Sequence, residues 1–374
     1  MLKNTITESQ MQTLLTMFWL GTLILLGYNQ TLKQDTWVGI LLAAILFIPL
    51  LLLYVRIIHL FPCQDLFSIM IKIFGNLWGK ILSGFMVFYA IYLGGLVLKH
   101  TSQFVTDLSL SATPQALLFM FLSLLALGSL LQGAENLGRL SKFAHPIIIW
   151  TIIISAVIGV KDMDFNNLKP ILHTDYKTLL GQSLILLSLP FGESIICLPF
   201  FGAVSSLVNP LKVFLKALAV ATGIILLVNL RNILILGTET ANMYYYPSYA
   251  SVSIISLGDF FTRIEVLIGL NLVIAGFFKF AACVYTSSLG FTKLFNLSTP
   301  KHAFVQSILL MFALATMVYP NTIEMLEGKP YYAYATILFQ IIIPLIILIG
   351  AEIKIRKKPP KLPASPQVQA SPQK

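Results

Sequence analysis

The chain has 374 residues, of which 57% are hydrophobic and 11% charged, and it carries a formal net charge of +10. A soluble domain holds about 25% charged and about 45–50% apolar residues, so a water-soluble enzyme, a disordered chain and a secreted disulfide scaffold all fit poorly. The mean hydropathy of +0.85 points instead to a bundle of transmembrane helices.

A helix needs about 20 apolar residues to cross a hydrocarbon core of about 30 Å. In chain order this criterion gives ten spans, at 11–29, 37–58, 81–104, 115–132, 145–160, 179–202, 212–236, 263–288, 302–319 and 331–351. The first stretch lacks the short apolar core and small-residue cleavage site of a signal peptide and is expected to stay as a span. Thr5 and Glu8 fit a capping box ahead of it. Thr113-Pro114, Asn209-Pro210 and Thr299-Pro300 each set a capping residue before a proline suited to the first helical position, and Pro330 suits the start of the last span.

Between the second and third spans, residues 59–80 (HLFPCQDLFSIMIKIFGNLWGK) are apolar but interrupted by Asp65, Lys72 and Gly75. With Leu66, Ile69, Ile73 and Leu77 at helical spacing, they read as a helix on the inner surface. With the N-terminus inside, 16 Lys and Arg residues fall on the cytoplasmic side and 8 outside, while Lys279 lies within a span. Scattered in this way, the basic residues orient the chain in a bilayer and do not form a nucleic-acid face. Residues 1–352 are expected to form one permease-like domain. Residues 353–374, rich in Lys, Pro, Ser and Gln, are expected to be a disordered basic cytoplasmic tail against anionic headgroups.

Ten spans divide into five plus five, and an odd number per half inverts the second half. The expected fold class is therefore an all-α membrane protein: ten transmembrane helices in a 5+5 inverted repeat, with helices 1 and 6 broken near the midplane, where such transporters place their substrate. The sixth span, SLILLSLPFGESIICLPFFG, carries Pro190 and Gly192, then Glu193 at the disruption and Pro199 beyond it. The first, MFWLGTLILLGYNQ, has Gly21 and Gly27 but no proline, so its glycines serve either a break or packing.

A carboxylate at the depth of Glu193 needs a partner, a proton or a role. It is the first candidate for ligand or proton contact, with Gly21, Thr22, Pro190, Phe191, Gly192 and Ser194 around the two breaks. Lys279, sixteen residues into the eighth span, either snorkels to an interface, stands where a coupling cation would, or pairs with Glu193. Tyr89 in the third span is a further candidate for the cavity wall. Glu135 and Arg139 are spaced to pair on one helical face, as an inner clasp or a partner contact. Arg263 and Glu265 flank the outer start of the eighth span, as a latch or an ordinary helix-start pair. Tyr246 belongs to an aromatic stretch, 239–261, that reads as a headgroup-level belt or as a lid.

Cys63, Cys197 and Cys283 show no zinc spacing and read as apolar fillers. The five histidines fall at span ends or in loops, without paired spacing. Neither enzymatic activity nor any cofactor is expected.

Taken in order, several short motifs resemble the spore-germination permease family, the B subunit of nutrient germinant receptors, within the amino acid–polyamine–organocation transporter superfamily. They are 5–10 (TITESQ), Leu20-Gly21, Trp37, Phe61-Pro62, 112–114 (ATP), 133–139 (GAENLGR), 167–170 (NLKP), Gly192-Glu193 with Pro199, 246–249 (YPSY) and 260–265 (FFTRIE). The first span departs from the family's usual second small residue and proline, with Leu23 and Tyr28 near those places. The resemblance implies a leucine-transporter-like fold in the inner spore membrane, a small nutrient ligand such as an amino acid, a larger membrane A subunit and a lipid-anchored C subunit. On this reading, backbone N–H groups near Gly21–Thr22 meet the ligand carboxylate, and Glu193 with freed carbonyls meets its ammonium. A proton-coupled amino-acid permease is the alternative, and a passive water- or ion-conducting subunit a third.

Overall fold

The computed structural model describes residues 5–23, 29–110, 112–205, 208–255, 264–319 and 322–357. Helix α1 (Glu8–Leu20) starts on a capping box at Thr7 and Gln10: the Thr7 hydroxyl accepts from the Gln10 N–H (3.4 Å) and the Gln10 amide oxygen from the Thr7 N–H (2.9 Å). The box expected at Thr5 and Glu8 is displaced because the chain before Thr7 is extended. There Ile6 bridges to Val204, and its N–H donates to the Ala203 carbonyl (3.0 Å).

Helix α2 (Thr36–Leu60) turns through residues 61–65 into α3 (Leu66–Leu108). Cys63 is exposed in this turn at φ 57°, so it is not the core filler that the sequence suggests. Asp65 caps α3 by accepting from the Ser68 N–H (2.9 Å). The expected surface helix and third span follow each other as two helices joined at a kink at Gly75, whose φ of 81° an L side chain rarely adopts.

Next come α4 (Gln115–Leu131) and α5 (Ala134–Ile158). Pro114 takes the N-cap position of α4 and so displaces Thr113 from the expected capping role. α6 (Tyr176–Leu186) runs into a π turn (Leu187–Phe191) and a 3-10 stretch (Gly192–Ala203). Asp175 caps α6; the hydrogen bond from the Thr178 N–H (3.0 Å) holds its carboxyl below the usual range.

α7 (Pro210–Met243) is capped by Asn209, as expected, and α8 (Pro247–Ser253) and α9 (Ile264–Leu294) follow. A short 3-10 turn behind Thr299, which makes no side-chain capping bond, leads to α10 (Phe304–Met317). The chain closes with α11 (Thr322–Glu327), α12 (Lys329–Ile337) with Pro330 in its first turn, a π turn (Leu338–Ile342) and α13 (Ile343–Lys357).

Among the described residues, seven helices are long and apolar enough to cross a membrane. The protein is an all-helical, multi-pass membrane protein. The helices at the other three expected spans, α1, α4 and α10, have 13, 17 and 14 residues, below that length. Residues 24–28, the expected end of the first span, lie outside the described residues, as do positions 358–374 of the expected tail.

The interrupted sixth segment forms the axis of the bundle: 89% of its most apolar stretch is buried, against 28% for the segment containing α5. α3 and α9 make the most extensive helix pair, and α1 packs on α5, α7 and α9. Lys99 and Arg231, counted with the outer charges although they fall inside the expected spans 81–104 and 212–236, are buried within α3 and α7. Arg231 donates to Ser155 Oγ (2.8 Å), Asn232 Oδ1 (3.0 Å) and the Ser248 carbonyl (2.9 Å).

Buried Asp35 ties the loop before α6 to the start of α2. It accepts from the Leu172 N–H (2.8 Å), the Thr174 N–H (2.8 Å) and the Thr174 hydroxyl (2.9 Å). Hydrogen bonds to a charged group contribute about 1.5–3 kcal/mol each. Asp35→Ala is expected to lower hydrogen-exchange protection at Leu172 and Thr174 by at least about tenfold while α2 stays protected. Unchanged protection at both amides would show that the loop is held by other contacts.

Candidate functional site

The sixth segment breaks where its sequence requires. Pro190 has no N–H, and its ring drives the preceding residue out of the helical region. Leu189 is accordingly extended, at φ −114° and ψ 105°. Carbonyls released from regular pairing must be met inside a membrane, and side chains from other helices meet them. Trp19 Nε1 donates to the Phe191 carbonyl (3.3 Å), Tyr54 OH to that of Gly192 (3.3 Å), Thr286 Oγ1 to that of Ile196 (2.7 Å) and Gln340 Nε2 to that of Ser188 (3.3 Å).

α1 stops at Leu20, and Gly21 lets it close onto α9. A Cβ at Gly21 would fall 2.8 Å from both the Ala275 carbonyl oxygen and Lys279 Cβ. The ligand-binding N–H groups expected here are already bonded: Gly21 donates to the Met17 carbonyl (2.9 Å) and Thr22 to that of Trp19 (3.2 Å). The reason is polarity, since the C-terminal end of a helix exposes carbonyls and not N–H groups.

Between the two interruptions sits a buried charge pair. Lys279 Nζ, from the middle of α9, donates to Glu193 Oε2 and to Thr22 Oγ1. The Thr22 hydroxyl lies 3.5 Å from the same carboxylate oxygen, and Tyr332 OH donates to Glu193 Oε1 (2.7 Å). The ammonium also stands 5.1 Å from the centre of the Phe18 ring. Glu193 and Lys279 are each 1% exposed, so Lys279 pairs and does not snorkel.

A second ring of contacts supports the first. Tyr332 OH is 3.2 Å from Tyr89 OH, Gln340 Nε2 donates to Tyr89 OH (2.8 Å), and Tyr54 OH donates to the Gln340 carbonyl (2.7 Å).

Beside the pair lies a chamber with a water-accessible volume of about 30 Å³. In this closed arrangement it admits about two waters. Its apolar wall is Leu93, Leu96, Val97 and Leu189, and its polar wall includes Thr22, Glu193, Lys279, Tyr332, His100 and Lys329.

Of the expected ligand residues, Gly21, Thr22, Glu193 and Lys279 line the chamber. Tyr89 stands behind Tyr332, stacked on Phe339 at 4.9 Å. Pro190, Phe191, Gly192 and Ser194 shape the break and do not reach the chamber. Phe191 packs on Trp19 and Phe47, and Ser194 Oγ donates to the Phe191 carbonyl (2.6 Å). Gly192 makes room for Gln340, whose Oε1 would lie 2.2 Å from a Cβ there.

Sequence reasoning missed Tyr332, Gln340, His100 and Lys329. Gln340 carried a readable signal, a lone amide in an apolar run. Lys329 and Tyr332 carried none, since such residues ordinarily anchor helix ends at the interface. His100, expected at a span end, lies inside α3 because the helix continues to Leu108.

The other candidates lie elsewhere. Glu135 and Arg139 pair at 2.5 Å within the first turns of α5, with Arg139 exposed; the pair joins two turns of one helix. Tyr246 OH donates to Asp107 Oδ2 (2.8 Å), tying the aromatic stretch to the end of α3. Glu265 is in the first turn of α9, and Arg263 lies outside the described residues.

Breaking a buried ion pair from one side leaves an unpaired buried charge, at about 3–5 kcal/mol, whereas replacing both partners is often near neutral. Glu193→Gln and Lys279→Met are each expected to lower the unfolding temperature in detergent, and the double variant to regain most of the loss. Additive losses would show that the two side chains act independently.

The chain matches the family profile described as spore germination protein over residues 5–325. Spore germination protein KB of Bacillus subtilis (strain 168) is 24% identical over 363 residues, covering 95% of this chain and 97% of that protein. Spore germination protein XB of Bacillus anthracis is 21% identical over 253 residues, 67% of this chain and 70% of that protein. In fold the chain is similar to Mhp1, a nucleobase-cation-symport-1 family transporter solved in a closed conformation with bromovinylhydantoin bound. The TM-score is 0.66 at 11% identity, over 91% of this chain and 78% of that one. The chain, built on a transporter-like helical fold around a buried charge pair, thus belongs to the spore germination protein family.

Proposed function

We propose that this protein is the B subunit of a nutrient germinant receptor in the endospore inner membrane, with both termini on the core side. It senses a small nutrient such as an amino acid in the chamber beside Glu193 and Lys279, and works with a larger membrane A subunit and a lipid-anchored C subunit. The ten-span, 5+5 repeat belongs to the same proposal.

One observation carries the reading: the charge pair bonds residues from both interrupted segments, α9 and α12, at the wall of a small closed chamber that must widen to take a nutrient. A ligand ammonium competes with Lys279 for Glu193. Whatever loosens that pair loosens four elements at once. A ligand shifts such an equilibrium only by its differential affinity for the two arrangements, and the shift passes to the partner subunits. Two anchors expected earlier are already engaged, the Gly21–Thr22 N–H groups with α1 and Glu193 with Lys279. Binding therefore works by exchange of partners and not by filling free sites.

The transporter-like fold favours a second reading, a proton-coupled amino-acid permease. Uptake of radiolabelled amino acid into proteoliposomes containing only this chain separates the two. Concentrative uptake abolished by Glu193→Gln supports transport, and saturable binding without net uptake supports sensing.

In spores, Glu193→Ala is expected to move the nutrient dose–response curve to higher concentration at normal protein level. Gly192→Leu is expected to act in the same direction, by driving Gln340 away from Tyr89. Unchanged curves with normal protein levels would refute the assignment.

A further inference from the structure

We infer that a groove between α4 and α9 holds one phospholipid, with its phosphate on Arg139 and an acyl chain running past Gly128. The groove is separate from the chamber beside Glu193, and the two share no wall residue.

The groove has a water-accessible volume of about 750 Å³. Phe121 and Leu125 of α4 and Leu270 of α9 stand along it, and all three are exposed, so it opens on the surrounding bilayer. Gly128 lies in it, and a Cβ there would meet nothing within 4 Å. From Leu118 to Gln132 it follows α4 for about 21 Å, at about 1.5 Å per residue. That exceeds one leaflet of hydrocarbon, about 15 Å, so an extended acyl chain fits lengthwise. A helix of the same length and about 10–12 Å across takes up more than roughly twice the volume of the groove and would rest on its rim.

One end of the groove is polar. Gln132 and Asn136 line it where α4 passes into α5, and Arg139 follows Asn136 within one turn. This end lies on the side of the membrane where α1 begins, since a Cβ on Gly138 would fall 3.1 Å from Gln10 Cβ. The Arg139 side chain is 63% exposed. It gives Nε and Nη2 to Glu135 and has Nη1 left without an acceptor among the described residues. Exposed Lys142 stands three residues further on, so two cations face one carboxylate. A lipid phosphate supplies the missing acceptor and the missing negative charge, and its acyl chain covers the apolar length behind.

Ile274 and Phe277 line the groove from α9, the helix that carries Lys279. An occupied groove therefore braces that helix from the bilayer side.

The test uses the purified full-length chain in detergent, stripped of lipid. Dioleoyl phosphatidylglycerol or dioleoylglycerol, which lacks the phosphate, is added back and bound lipid is counted by native mass spectrometry. Phosphatidylglycerol is expected to bind at one molecule per chain and dioleoylglycerol more weakly. Gly128→Leu is expected to weaken phosphatidylglycerol binding at least about fivefold by filling the groove. Arg139→Gln is expected to weaken it at least about tenfold and Arg139→Lys to retain most of it, with dioleoylglycerol binding unchanged in both. An unfolding temperature unchanged in the absence of lipid shows that each variant is folded.

Phosphatidylglycerol binding unchanged in Gly128→Leu or in Arg139→Gln overturns the inference, as does dioleoylglycerol binding equally well. A homodimer in detergent that Gly128→Leu dissociates overturns it too, because the groove then belongs to a second copy of the chain.

Discussion

A lysine and a glutamate held together inside a helical bundle set the terms for everything around them. Two charges removed from water cost several kcal/mol each, and their attraction offsets that only when further hydrogen bonds complete the site. Thr22 and Tyr332 provide those bonds, Thr22 from just past the end of α1 at Leu20 and Tyr332 from α12. The pair thereby ties the ends of both interruptions to α9 and α12. The most polar point of the bundle is also where four elements meet.

Broken helices bring a second requirement, because each carbonyl taken out of regular pairing must find a donor in a medium without water. The donors come from elsewhere in the bundle: Trp19, Tyr54, Thr286 and Gln340 each reach one carbonyl of the sixth segment. Tyr54 and Gln340 also bond each other, and Gln340 continues to Tyr89 and Tyr332. Backbone satisfaction and charge stabilisation thus share one network. A substitution such as Gly192→Leu, whose side chain would displace Gln340, is felt at Glu193 through Tyr89 and Tyr332 as well as along the chain.

Much of this was legible in the residues themselves. The break at Pro190 follows from a proline and its effect on the residue before it, and Glu193 at that break announced a partner. Lys279 could be named as one possible partner because few charges lie so deep in an apolar run. The fourth expected span, 115–132, matches α4 to within a residue, whereas the stop of α1 at Leu20 was not legible, since hydropathy marks apolar stretches and not where hydrogen bonding ends. The free groups at Gly21 differ from the expectation in direction, because the C-terminal end of α1 offers carbonyls and not N–H donors. Lys329 and Tyr332 were invisible for a different reason. A lysine and a tyrosine at a span end are the usual interfacial anchors, and only the three-dimensional approach of α12 to the sixth segment turns them inward.

The same geometry limits how a ligand can act. Moving a two-state equilibrium from 1:99 to 99:1 requires about 5.5 kcal/mol of differential affinity. A single charged hydrogen bond supplies about 1.5–3 kcal/mol, so exchange at Glu193 alone falls short, all the more because it sets Lys279 adrift. An effective ligand must make strong contacts at a second point while it disturbs the first. On the proposed reading α12 enters here, because it carries Tyr332 to Glu193 and also lines the chamber. A ligand that displaced the Tyr332 bond would move α12 together with the interrupted helices, and the two contributions would add toward the required difference.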